Sequence, residues 1–309
     1  MPAIRPPTDI DWDNWLDLIS EKNCTPFIGA GAASAVLPTG GKLAKEWADT
    51  NKYPLTDDYN LTRVTQFLAI ERKDTTYPKR AMQRIIEGQQ PDFDDPNEPH
   101  RVLADLGLPV YITTNYDSFM SDALTRSLER RHGPGTGHKP CQQICRWYEP
   151  PGAGRARRER QPKPTPDDPL VFHLHGHYAN PESLVLTEDD YLNFLVRLSG
   201  PSRDLLPQVI TEALNRSAIL FIGYSLADWT FRVLFRSLLS AAPASFRFPC
   251  IAVQLPPGDT KKERTAKALN YLERYFGRVV ASGDVTVCFQ DVHDFAAELR
   301  ERWESRGDH

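Results

Sequence analysis

Six short apolar runs constrain this chain more than any other feature. Thr25–Ile28, Pro109–Thr114, Leu170–Leu174, Ala218–Ile222, Pro249–Leu255 and Val285–Gln290 are nearly unbroken apolar or β-branched stretches. A strand covered on one face alternates apolar and polar residues, so runs of this kind predict strands buried on both faces. Helical patterns lie between them, at Ser118–Arg131, Arg203–Asn215, Trp229–Leu239, Lys262–Phe276 and His293–Glu304. Strands alternating with helices imply βαβ units and hence an α/β chain built on a doubly wound, mainly parallel sheet. Such sheets bind ligands beyond the carboxyl ends of their strands.

One interval departs from the alternation. Residues 42–107 carry helical patterns without a convincing strand, which predicts a helical insertion. Trp12, Trp15, Leu16 and Ile19 have helical spacing and predict a docked N-terminal helix. Residues 149–168 are rich in Pro, Gly and Arg with no apolar period, as in an exposed loop. Its basic cluster, Arg155, Arg157, Arg158 and Arg160, suits a solvated loop first and a partner or nucleic acid second. Residues 256–309 read as an α/β extension of the sheet, and residues 1–309 as a single domain.

Composition excludes several classes. Lys and Arg number 37 against 41 Asp and Glu, a net charge of −4, so direct nucleic-acid binding by a general basic field is not expected. Ala218–Ile222 falls far short of the ~20 apolar residues that span a bilayer. The stretch from Met1 to Trp15 lacks the apolar core of a signal peptide. Cys24, Cys141, Cys145, Cys250 and Cys288 are an odd and sparse set, which predicts a reducing, cytoplasmic setting without disulfides. Cys141 and Cys145 with His132 and His138 match no familiar zinc spacing, so reduced loop cysteines are the preferred reading.

Polar motifs follow the predicted strands. Gly29-Ala30-Gly31-Ala32-Ala33-Ser34 allows a tight turn that either packs closely or admits a phosphate. Its Ser34 stands where a dinucleotide fingerprint needs a third glycine, and Glu46 and Asp49 lie in helical sequence, which argues against an ordinary dehydrogenase. Gly40-Gly41-Lys42 is followed by Leu43, and a triphosphate loop needs Ser or Thr there. Thr114-Asn115-Tyr116-Asp117 supplies an amide and a carboxylate, suited to a ribose and a carboxamide or simply to a turn and helix cap. His173-Leu174-His175-Gly176-His177 offers a general base, a core histidine or a three-imidazole metal site. Gly223-Tyr224-Ser225 is a turn that receives a ribose or caps a helix, and Leu184–Tyr191 reads as a strand and helix start with Thr187 as N-cap.

In this order, Gly29-Ala30-Gly31, Thr114 to Asp117, His175-Gly176, Leu186-Thr187 to Asp190-Tyr191 and Gly223 to Leu226 resemble the sirtuin superfamily. The likeness is greatest to the bacterial sirtuin-like NAD hydrolases of anti-phage defence systems. That resemblance implies a Rossmann-like sheet and NAD+ as substrate, with no metal expected. It implies Asn115 and His175 as catalytic residues, the amide placing the nicotinamide ribose and the imidazole serving as base. It gives substrate binding to Gly29, Ala30, Gly31, Ser34, Asp117, Gly223, Tyr224 and Ser225. Ala33 stands where the family has a hydroxyl, and no cysteine occurs from His177 to Gly223, so the zinc ribbon of protein deacylases is not expected. The expected function is therefore NAD+ cleavage to nicotinamide and ADP-ribose or its cyclic form, depleting NAD in defence. Gating is expected through a homo-oligomer or a partner such as a HerA-type ATPase or an Argonaute-like protein. The competing expectations are a non-catalytic NAD or ADP-ribose sensor and a metal-dependent hydrolase on His173, His175 and His177.

Overall fold

The computed structural model describes residues 10–150, 163–199, 205–224, 249–254, 271 and 285–307. Seven strands form one sheet: β1 Cys24–Ile28, β2 Val110–Thr113, β3 Cys141–Ile144, β4 Leu170–His173, β5 Ala218–Ile222, β6 Cys250–Gln254 and β7 Val285–Phe289. Their spatial order is β3-β4-β2-β1-β5-β6-β7, and every neighbouring pair is parallel. The helices are α1 Trp12–Ser20, α2 Gly40–Asn51, α3 Leu61–Glu71, α4 Tyr77–Ile86, α5 Pro99–Asp105, α6 Phe119–His132, α7 Glu188–Ser199, α8 Gln208–Arg216 and α9 Val292–Gly307.

The apolar runs do what their continuity predicts: β1, β2, β4 and β5 are buried along their whole length. Successive residues point to opposite faces. Ile28, Tyr111, Val171 and Leu220 join a core with Trp15 of α1, Leu103 of α5, Leu124 of α6 and Phe295 of α9. Phe27, Ile112, Phe172 and Phe221 join the other core, with Phe194 of α7 and Leu214 of α8. Each such side chain withdrawn from water is worth about 1.5–3 kcal/mol. The N-terminal helix docks as its spacing predicts, with Trp12 stacked on Phe295 at 5.8 Å between ring centroids.

β3 is the strand that no apolar run announces. Cys141 and Gln142 are exposed, and the strand is held at the sheet edge by pairing with β4. Residues 184–187 are a correction in the other direction, forming an extended connection and not a strand. Helix α8 starts at Gln208, later than the apolar pattern suggests, because Pro207 stands at its cap and disfavours helix in the residue before it. The candidate helices at 229–239 and 262–276 and the arginines at 155–160 lie outside the described residues.

The topology locates a crevice. From β1 the chain proceeds to β2, then to β3 at the edge and back to β4 between them, whereas β5 leads the opposite way to β6 and β7. The order therefore reverses between β1 and β5, the position at which a doubly wound sheet opens a binding crevice.

Candidate active site

Four strand ends border this crevice. After β1, the backbone of Gly29 and Gly31 runs against the end of β5. Gly29 N–H donates to Ile222 O and Gly31 N–H to Gly223 O, both at 2.8 Å. A Cβ on Gly29 would lie 2.8 Å from Gly223 O, and one on Gly31 2.9 Å from Gly223 Cα. These glycines thus serve close packing of two loops, and their N–H groups are already used. Ala30 is exposed, and Ser34 Oγ donates to Gly31 O at 2.8 Å on the surface of the same turn. Ser225 lies outside the described residues.

Next to β1, the end of β2 carries Asn115. Its backbone N–H donates to Thr113 Oγ1 at 2.9 Å, and its side-chain Nδ2 donates to Gly29 O at 3.2 Å. The amide's other atom, Oδ1, is buried with no hydrogen-bond partner among the described residues. Asp117 is buried too, with one oxygen accepting from Phe119 N–H at 3.0 Å at the start of α6. Burial pushes its carboxyl pKa up, opposed by the nearby His100. His100 is fully buried and bonds Glu98 Oε1 through Nδ1 at 2.7 Å. Burial alone would lower the pKa of His100, but the bond and charge of Glu98 bring it above the usual value. Sequence reasoning missed this pair, since two polar residues at a helix start carry no special pattern.

The end of β4 lies beside that of β2. Thr113 pairs with His173, so Asn115 and His175 each lie two residues past a paired position. His175 packs edge-on against Tyr191 and Phe194 of α7, at 5.4 and 5.1 Å between centroids. Its Nε2 is buried and unpartnered among the described residues, and burial lowers its pKa to about 3. His173 and His177 meet edge to face with ring centroids 4.7 Å apart, and His177 Nε2 bonds Ser118 Oγ at 2.9 Å. The three imidazoles do not converge, and among the described residues no group of three or more His, Cys, Asp or Glu is placed to hold a metal. The same holds at Cys141 and Cys145: Cys145 is buried, while His132 Nε2 bonds Asp167 at 2.8 Å.

Gly176 turns the chain immediately after His175. Its φ is +91°, and a Cβ there would lie 2.2 Å from Ser183 O, which also accepts from Trp147 Nε1 at 2.6 Å. Gly176→Ala is expected to cost at least about 2 kcal/mol, from positive φ and overpacking together. Gly88 also has positive φ, but an added methyl would meet nothing within 4 Å, so Gly88→Ala is the control and should cost only the backbone part. Urea midpoints of both variants check this. Equal midpoints would show that the Ser183 contact relaxes freely.

Helix α7, which covers His175, is braced by the helices between β1 and β2. Asp190 Oδ2 accepts from the N–H groups of Leu186 and Thr187, and Asp190 N–H donates to Thr187 Oγ1, the capping predicted at Thr187. The other oxygen of Asp190 takes the buried ammonium of Lys79 at 2.8 Å, which also lies over the Trp147 ring. Arg63 reaches Glu188 at 3.1 Å, and Gln66 and Asp189 exchange two hydrogen bonds.

A family model described as a SIR2-like domain matches residues 109–278, just over half of the chain, and the chain belongs to that family. Two similar curated proteins are both named NAD(+) hydrolase ThsA. That of Bacillus cereus (strain MSX-D12) is 23% identical over 211 residues, covering 68% of this chain and 38% of its own length. That of Cytobacillus dafuensis is 27% identical over 219 residues, covering 69% of this chain and 37% of its own. The chain thus spans less than two fifths of the length of these relatives. A solved chain from work on the mechanism and regulation of Sir2 enzymes aligns over 98% of this chain and 100% of its own, at 12% identity and a TM-score of 0.43. Among the described residues, no helix is long and apolar enough to cross a membrane.

Proposed function

We propose that this chain is an NAD+ glycohydrolase that cleaves the nicotinamide–ribose bond, acting as one sirtuin-like domain. One observation carries the reading. Asn115 and His175 leave adjacent parallel strands at matching register, and each keeps a buried polar atom without a protein partner among the described residues. Buried polar groups are nearly always hydrogen-bonded, so two orphans just past the ends of neighbouring strands, at a sheet's ligand-binding end, point to a polar substrate.

In this mechanism Asn115 Oδ1 accepts a hydrogen bond from a ribose hydroxyl and fixes C1′ for bond cleavage. The C1′–N bond breaks with its electron pair going to the pyridinium nitrogen, so nicotinamide leaves neutral and C1′ acquires oxocarbenium character. Water then adds to C1′ as His175 takes its proton, giving ADP-ribose. Attack by an atom of the substrate itself gives the cyclic product instead. Asp117 sits beside the carboxamide, and the turn at Gly29–Ser34 with Gly223 borders the rest of the dinucleotide.

The cover over His175 supports a gated enzyme. An imidazole packed against Tyr191 and Phe194 with its Nε2 buried is neutral but a poor base, and a shift of α7 would open it to water. A homo-oligomer or a partner protein that moves α7 fits a defence effector whose unrestrained turnover would deplete cellular NAD. The same burial favours one second reading, a sensor that binds NAD or ADP-ribose without turnover. Incubating the purified protein with NAD+, with and without candidate partners, and separating the products decides between them. Release of nicotinamide with ADP-ribose or cyclic ADP-ribose supports the hydrolase. Binding without release in every condition supports the sensor, and neither binding nor release overturns both.

A further inference from the structure

We infer that Tyr224 is a positioning residue that fixes which way the Asn115 amide faces, and is not a contact to the dinucleotide. The inference rests on the reading of Asn115 as the residue that places the ribose. The Tyr224 hydroxyl donates to Ile28 O at 3.0 Å and lies 2.6 Å from Thr114 Oγ1. A phenol has one proton, so with that proton on Ile28 O the bond to Thr114 runs from threonine to tyrosine. Burial pushes the phenol pKa well up, which keeps that proton in place. The ring packs on Phe27 at 5.5 Å, and a Cβ on Gly29 would lie 2.9 Å from Tyr224 Cε2.

Tyr224 therefore joins the ends of β5, β1 and β2 at one point, immediately beside Gly29 and Asn115. Ile28 O also accepts from Thr114 N–H at 3.0 Å and from Thr113 Oγ1 at 3.3 Å, so the phenol shares this carbonyl with two donors at the end of β2. The next carbonyl, Gly29 O, accepts from Asn115 Nδ2 at 3.2 Å. That bond sets the sense of the amide. With Nδ2 on Gly29 O, the atom left over is the acceptor Oδ1, which suits a hydroxyl donor. A rotated amide would set oxygen against oxygen and present a donor instead. Holding Gly29 under an aromatic ring and Thr114 on its hydroxyl keeps both ends of this arrangement in place.

The test is Tyr224→Phe, which keeps the ring, with Thr114→Val removing the same hydrogen bond from the other side. Each is expected to lower kcat for nicotinamide release about 10-fold while KM for NAD+ stays within about twofold. Combined with Asn115→Ala, Tyr224→Phe should add less than about twofold further loss. A tenfold rise in KM at unchanged kcat would make the hydroxyl a substrate contact. Wild-type kinetics in both single variants, or losses that multiply fully with Asn115→Ala, would also overturn the inference. A second readout does not need turnover: the Asn115 side-chain NH2 resonances, identified by their loss in Asn115→Ala, should shift and exchange faster in Tyr224→Phe. Unchanged resonances overturn the positioning role. Shifted resonances in a protein that releases no nicotinamide in any condition, with or without candidate partners, would leave the role standing and remove the hydrolase reading.

Discussion

Asn115→Ala and His175→Ala are each expected to lower nicotinamide release from NAD+ by at least about 100-fold, with the fold retained. The two should fail differently. Removing the Asn115 amide leaves Gly29 O without its donor, and in the proposed mechanism it takes away the ribose anchor and with it the geometry at C1′. Removing the His175 imidazole deletes a group whose buried Nε2 has no partner from between Tyr191 and Phe194, so the packing loses a ring and no bond to that nitrogen. Asn115→Asp is the informative companion, because it keeps the shape but replaces the donor to Gly29 O with an acceptor. Nicotinamide release is measured by chromatography on variants whose unfolding midpoints match the parent protein. Full activity in either alanine variant removes that residue's role.

The second large effect is on stability against acid. Burial holds His173, His175 and His177 well below the ordinary histidine pKa, at about 3, 3 and 4. In the unfolded chain each would titrate near 6.5. Above that pH both states are neutral and the three contribute nothing to the pH dependence. Below it the unfolded chain binds protons that the folded chain refuses, so stability falls with pH until the folded pKa is reached. Each imidazole costs up to about 1.4 kcal/mol per pH unit in that window, so stability falls steeply below pH 6.5 on the scale of a typical domain's few kcal/mol of reserve. Urea denaturation at pH 7.5, 6.5, 5.5 and 5 should show a steep fall that begins near 6.5. His173→Asn with His177→Asn should flatten it, and a profile already flat in the parent protein would place these rings in contact with water.

The sheet was legible because its strands are continuous apolar runs, and a strand buried on both faces leaves no other pattern. β3 was not legible: Cys141-Gln142-Gln143-Ile144 is half exposed, and only its pairing with β4 makes it a strand. That Asn115 and His175 lie at the carboxyl ends of strands was legible, because each stands just past an apolar run. Their surroundings were not. That Gly29 and Gly31 spend their N–H groups on β5 depends on a partner almost two hundred residues away. The Lys79–Asp190 pair and the Glu98–His100 pair consist of ordinary charged residues on helices, and only burial sets them apart.

The bracing of α7 has an evolutionary side. By their place in the chain, the helices between β1 and β2 look like a free appendage, open to replacement by any compact substitute. Lys79, Arg63 and Gln66 tie them to three consecutive acidic positions, Glu188, Asp189 and Asp190, more than a hundred residues downstream. A chimera that exchanges one partner alone strands a buried ammonium or carboxylate. Grafts between relatives therefore have to transfer both segments as one inheritance unit.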